Sequence, residues 1–267
     1  MGRVIFVSAG PGSADLITLR GLRALQQADV VLFDALTDPA LREFAPSARW
    51  LDVGKRGFCD STAQTAINAA LVSEARQAGV VVRLKGGDAS VFGRLEEELL
   101  ALDEAGIDSE VVPGVTAAIA AAAHTRRPLT RRGQGRSVAL TTAMTKDGDL
   151  QALKSADTEV FYMAGRQLGA LARKLALAGW AGDTPVMVVS RAGCADALSS
   201  EHTVDTLPAA SLLHRGRPTV VTVGAGAAPV SPVRQRAALP QALAARTPGD
   251  QCPQVEPHQV EPTIAHD

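Results

Sequence analysis

Apolar residues arrive along this chain in two alternating rhythms. Short blocks at 4–8, 29–33, 48–53, 80–84 and 107–112 read as strands, and the β-branched block 80–84 is of the kind buried in a parallel sheet. Between them lie stretches with helical spacing at 18–28, 62–77 and 96–105. In the middle one, Ala63, Ile67, Ala70, Leu71 and Ala75 mark a single face. Five strands with interleaved helices predict a doubly wound α/β unit of about 110 residues. Pro113-Gly114 then breaks the pattern and sets a boundary between a first α/β domain, 1–113, and a second, 114–228. The second domain predicts strands at 137–142, 159–163, 185–190 and 219–223, a helix at 167–178 and an added antiparallel strand at 198–204. It opens with a helix of very small residues at 115–123. Beyond 228 the chain has no aromatic residue, is rich in Pro, Gln and Ala and repeats Gln-Val-Glu-Pro. The expectation for 229–267 is a disordered tail without a catalytic role.

Composition narrows the class. With 46% hydrophobic and 21% charged residues the chain has ample material for a core. A net charge of −1 and a pI near 6.5 supply no general attraction to nucleic acid or to an anionic membrane. No apolar run approaches the roughly 20 residues that span a bilayer. The N-terminus passes directly into a strand pattern, so no secretory leader is expected and the cytoplasm is the default compartment. Cys59, Cys194 and Cys252 are odd in number and widely spaced, and the five histidines lack ligand spacing. Neither a disulfide framework nor a metal is expected.

Candidate chemistry gathers where strands end. Leu84-Lys85-Gly86-Gly87-Asp88 is a strand-to-helix turn, the place where open α/β sheets bind ligands, and its two glycines admit a close approach to the backbone. The Asp88 carboxylate suits a ribose diol or an amino group; a plain tight turn in which Asp88 caps the following helix is the competing reading. The earlier turn, Gly10-Pro11-Gly12, is not a dinucleotide fingerprint, because Asp15 replaces the third glycine and Pro11 removes an amide donor. A ligand without phosphates fits it better. Asp34 and the Gly54-Lys55-Arg56-Gly57 turn end two further strands and again place charges there. The loop 126–136 holds five arginines, suited to carboxylates or phosphates, or merely solvated.

Taken together and in this order, these motifs resemble the tetrapyrrole methylase family. They are Gly10-Pro11-Gly12 with Asp15-Leu16-Ile17-Thr18-Leu19, Val30-Val31-Leu32-Phe33-Asp34, Val53-Gly54-Lys55-Arg56, Leu84-Lys85-Gly86-Gly87-Asp88, Val91-Phe92-Gly93-Arg94, Val112-Pro113-Gly114-Val115-Thr116, Pro128-Leu129-Thr130 and Phe161-Tyr162-Met163. The resemblance covers residues 3–226. It implies two α/β domains with S-adenosylmethionine in the cleft between them, and is strongest to members that C-methylate uroporphyrinogen III to precorrin-2. Carried onto this chain, Pro11, Gly86, Gly87, Asp88, Val91, Thr116, Ala117, Met163 and Ala192 contact the cofactor, Asp34 accepts a proton and Lys55 donates one. The implied substrate is a carboxylate-rich tetrapyrrole, held on this reading by Arg56, Arg94, Arg131 and Arg132, and the implied assembly is a homodimer. Ala89-Ser90, Arg131-Arg132-Gly133, Ala143-Met144 and Ala164 depart from the family pattern, with the expectation that they face the macrocycle. Rival readings are a methylase of a later precorrin, an RNA 2′-O-methyltransferase of the same superfamily and a silent cofactor-binding scaffold.

Overall fold

A computed structural model describes residues 2–54, 62–144 and 150–230. The apolar blocks of the first half form β1 (Arg3–Ser8), β2 (Val30–Phe33), β3 (Arg49–Asp52), β4 (Val80–Lys85) and β5 (Ser109–Val112). They pair in the order β3-β2-β4-β1-β5, every pair parallel. Because side chains alternate across a strand, Ile5, Val7, Val31, Val82 and Leu84 meet Ala24 and Leu25 of α1 (Leu19–Gln26) on one face. Val4, Phe6, Val30, Leu32 and Val81 meet Ile67 and Leu71 of α2 (Thr62–Gln77) and Leu102 of α3 (Leu95–Glu104) on the other. Thr18 caps α1 by accepting from the Gly21 amide at 3.1 Å.

The second sheet is β6 (Val138–Thr142), β7 (Thr158–Tyr162), β8 (Pro185–Ser190), β9 (Leu198–Thr203) and β10 (Thr219–Gly224), in the order β6-β7-β10-β8-β9. It is mixed: β6 and β7 run parallel, whereas β10 is antiparallel to both β7 and β8, and β9 is antiparallel to β8. The small-residue helix α4 (Ala117–Thr125) lays Ala118, Ala120 and Ala121 against Val160, Met187, Val189 and Val220. On the opposite face Leu168, Leu171 and Leu175 of α5 (Leu168–Leu177) pack on Phe161, Val188, Val221 and Val223. Truncating a fully enclosed leucine of this kind to alanine costs about 2–5 kcal/mol.

The fourth strand runs one residue further than its apolar block predicts. It includes Lys85, and both Lys85 and Arg83 are buried, because a carboxylate from α3 meets them inside the layer. Among the described residues no helix is long and apolar enough to cross a membrane. Lys55, Arg56 and the 229–267 tail beyond Val230 lie outside the described residues.

Candidate active site

Parallel pairing delivers every loop that follows a strand of the first sheet to one edge. There the turn after β1 and the turn after β4 clasp each other through two hydrogen bonds, Gly10 N to Gly87 O at 3.1 Å and Gly87 N to Gly10 O at 2.7 Å. Gly87 sits at φ +70°, a conformation that glycine adopts without strain, and a Cβ placed there would meet nothing within 4 Å. The space above the turn is open. Asp88 braces its surroundings: Oδ1 accepts from the Ser90 amide at 2.9 Å and from the Ser90 hydroxyl, and Oδ2 accepts from the Gly114 amide at 2.8 Å. Asp88 does not cap the following helix, whose N-cap is Arg94 without a side-chain cap bond, and its three donors leave one of about four carboxylate acceptor positions for a ligand. Burial pushes its pKa up, but the bonds from the Ser90 hydroxyl and the Gly114 and Ser90 amides outweigh that and hold it below the usual carboxylate range.

Gly114 leads into Thr116, whose hydroxyl lies 2.7 Å from the Tyr162 hydroxyl at the end of β7; the Ala118 amide donates to the same oxygen at 3.2 Å. The Tyr162 ring meets the Phe92 ring 5.0 Å away, which returns to the loop after Asp88. Met163 follows Tyr162 and is 48% exposed; Phe92 is 41% exposed. On the remaining side, Ala192 packs in one apolar cluster with Val115, Ala117 and Tyr162, while the Ser13 amide donates to Gly193 O at 3.0 Å. A Cβ on Gly12 would lie 2.6 Å from Cys194 Sγ, so the first turn and the loop after β8 touch. Strain concentrates here too. Of five non-glycine residues with positive φ among those described, Phe92, Arg94, Met163 and Arg191 lie in these loops.

Asp34 follows β2 at the same edge. Its Oδ1 accepts from Arg83 Nη2 at 2.6 Å, and its side chain is 30% exposed. Gly54, which ends the β3 segment, packs directly on Ala35. Behind Asp34, Arg83 Nε bonds Glu98 Oε1 at 2.9 Å and Lys85 Nζ bonds Glu98 Oε2 at 2.6 Å. Burial, then the neighbouring Arg83 charge, pushes Lys85 below its ordinary value, and Glu98 offsets part of that shift.

The family described as Tetrapyrrole (Corrin/Porphyrin) Methylases matches residues 3–208. This chain belongs to the tetrapyrrole methylases. It is similar to a uroporphyrinogen-III C-methyltransferase of Pseudomonas aeruginosa, 46% identical over 195 residues, 72% of this chain and 80% of that one. A uroporphyrinogen-III C-methyltransferase of Priestia megaterium is 41% identical over 214 residues, 78% of this chain and 90% of that one. Among solved structures, the uroporphyrin-III C-methyl transferase of Thermus thermophilus complexed with S-adenyl homocysteine superposes with a TM-score of 0.73 at 34% identity, covering 84% of this chain and 97% of that one.

As a tetrapyrrole methylase the chain brings together nearly all the described residues that the sequence singled out: Pro11, Gly86, Gly87, Asp88, Val91, Thr116, Ala117, Met163 and Ala192 all lie on the loops and the helix start described above. The arginines divide differently. Arg94 stands in the cleft loop, with its guanidinium gripping Glu97 at 2.7 and 2.6 Å. Arg131 donates to the carbonyls of Ala228 at 3.1 Å and Pro229 at 3.2 Å, and Arg127 is buried against Ala227 O and Glu201. Their loop packs by Gly135 against Asp157 and Ala225, at the start of β7, whereas Tyr162 lies at its end, four residue steps or about 13 Å along the strand. Arg131 and Arg132, the arginines expected to hold substrate, thus lie on a loop packed at the opposite end of β7 from Tyr162. Arg131 is a clamp on main chain, and Arg132 lines a separate hollow of about 540 Å³ with Arg136 and Asp157. Among the departures from the family pattern, Ala89, Ala143 and Ala164 are buried and adjust packing, whereas Ser90 is exposed and bonds Asp88. Tyr162, Arg83, Lys85 and Glu98 were not singled out from sequence. The available signals were the chain's single tyrosine and two cations of equal parity on a buried strand, followed by the acidic run Glu96-Glu97-Glu98.

Proposed function

We propose that this chain is an S-adenosylmethionine-dependent C-methyltransferase that converts uroporphyrinogen III to precorrin-2. The observation that carries the reading is the run of contacts from Gly10 and Gly87 through Asp88, Gly114, Thr116 and Tyr162 to Phe92, beside the open face of Gly87. Its chemistry suits this cofactor. The lining is small or apolar at Pro11, Gly86, Gly87, Ala117, Met163 and Ala192, one ionised carboxylate has an acceptor position spare, and Pro11 replaces an amide that a phosphate cradle would use. Bound there, the cofactor supplies an electrophilic methyl group.

The chain's own work is to hold the two reactants in register, which can contribute about 7–11 kcal/mol to lowering the barrier. Asp34 stands at the same edge to accept the proton that the methylated ring must lose. Lys55, three positions after the end of β3, is the proposed donor. Such acid/base assistance contributes about 10²–10⁴ in rate, the smaller share. Arg94, and with it Arg56, is proposed to meet substrate carboxylates, which requires Glu97 to exchange its partner as substrate arrives. A homodimer belongs to the same reading and is tested by sedimentation equilibrium. The deciding assay supplies S-adenosylmethionine and uroporphyrinogen III and follows the red-shifted absorbance of a dimethylated product. An inert mixture, or turnover of an already methylated precorrin alone, overturns the assignment.

A further inference from the structure

The buried charges behind Asp34 form a chain of alternating sign: Lys85, Glu98, Arg83, Asp34. Glu98 is fully enclosed, the Arg83 side chain is 2% exposed and the Asp34 side chain is 30% exposed, so the chain is dry at one end and opens only at the carboxylate that faces the cleft. Its placement follows from strand alternation. Val81, Arg83 and Lys85 share the face of β4 that packs on α2 and α3; Val30 and Leu32 share the corresponding face of β2, and Asp34 continues that parity one step past the strand. Arg83 is almost fully engaged. Nε bonds Glu98, Nη1 bonds the carbonyls of Leu32 at 3.4 Å and Leu84 at 3.2 Å, and Nη2 is left for Asp34 at 2.6 Å. Gln64 Nε2 completes Glu98 at 3.5 Å.

Three buried charges and a half-buried one are a poor way to stabilise a sheet, since apolar side chains of similar volume often do as well or better. They are a good way to aim a carboxylate. A planar guanidinium held at two of its three nitrogens has its third aimed in one direction, and a flexible ammonium in its place would have many. We propose that Arg83, anchored by Glu98 and Lys85, is a positioning residue that fixes the orientation of the Asp34 carboxylate toward the cleft. This rests on the reading of Asp34 as proton acceptor. Arg83 does not touch substrate; its whole effect on turnover passes through Asp34, while the cofactor turn at Gly86 to Asp88 stays as it is.

The test is a double-mutant cycle on the full chain, with kcat and KM for uroporphyrinogen III, the Kd of S-adenosylhomocysteine by titration, and the melting temperature as a check of folding. Arg83→Lys keeps the charge and removes the fork. It is expected to lower kcat about tenfold, with KM and the S-adenosylhomocysteine Kd changed less than about twofold. In an Asp34→Asn background the same substitution is expected to change kcat by less than about twofold, because the group it aims is already gone. Glu98→Gln, which loosens the anchor and leaves the guanidinium in place, provides the same cycle should Arg83→Lys fail to fold. A kcat loss of equal size in both backgrounds, or a loss confined to cofactor affinity, overturns the positioning role. Asp34→Asn with unchanged kcat instead overturns the assignment of Asp34 itself, and the two failures are read from different arms.

Discussion

At the residue scale, the cleft is built from groups that do two things at once. Gly87 closes the clasp with Gly10 and leaves its α-carbon face open. A methyl group added there meets no protein atom, so Gly87→Ala is expected to destabilise the fold by only about 1–2 kcal/mol, the strain of a left-handed residue. Its effect on ligand should be larger, with S-adenosylhomocysteine affinity falling about tenfold or more, since 1.4 kcal/mol of lost contact already amounts to that factor. Calorimetric titration beside thermal melting checks both parts, and unchanged affinity would place the cofactor elsewhere. Arg131 makes the opposite case. Arg131→Ala removes hydrogen bonds to a part-buried and an exposed carbonyl and is expected to lower stability by about 0.5–1.5 kcal/mol, while KM for the tetrapyrrole stays unchanged. A raised KM with full stability would return this arginine to the substrate.

At the element scale, the loop after β8 is held by a buried histidine. His214 is enclosed between the Ser190 hydroxyl, 2.9 Å from Nδ1, and the Ser200 hydroxyl, 2.8 Å from Nε2, and Ser200 also meets His202 Nε2 at 2.8 Å. Burial first, and the His202 and Arg217 charges after it, push its pKa below the ordinary value. The folded state therefore binds this proton less readily than the unfolded chain does. Stability from this group is fully present above about pH 6.5, the unfolded value, and is lost as pH falls from there through the lower folded value. Urea titrations across pH 7.5 to 5.0 are expected to show that decline, and His214→Gln to flatten it. A decline of equal slope in the variant would assign it to other groups.

How much of each element was readable from sequence follows from where its stabilisation originates. The strands and helices emerged with boundaries within two residues, since a buried parallel strand and an amphipathic helix write their periods directly into the chain. The mixed direction of the second sheet was not readable beyond β9, because antiparallel and parallel central strands share the same apolar composition. Lys85 was left out of its strand for a related reason: a lysine reads as the end of an apolar block until a carboxylate from α3 is seen to receive it.

At the scale of the whole molecule, the two sheets are joined through the same groups that line the cleft: Asp88 to Gly114, Thr116 to Tyr162, Gly12 against Gly193. Unfolding either side strips contacts from the other, and ligand bound between them adds to both. A single calorimetric transition is expected, shifted upward as a unit by S-adenosylhomocysteine, with about 2.7 kcal/mol of stabilisation at a hundredfold excess over Kd. Two transitions of which only one responds would separate the halves and remove the shared cleft.

By itself the sequence determined the alternation of strands and helices, the glycine turns and their Asp88, and the order of motifs that marks a tetrapyrrole methylase, because each of these is a local pattern of side-chain size, branching and backbone freedom. Only the tertiary structure decided which charges are spent on the fold and which face the cleft. Arg127 and Arg131 go to main-chain carbonyls and Arg83 goes to Asp34, since the partner of a guanidinium is chosen by what the folded chain brings within 3 Å of it, and that is written at no single position.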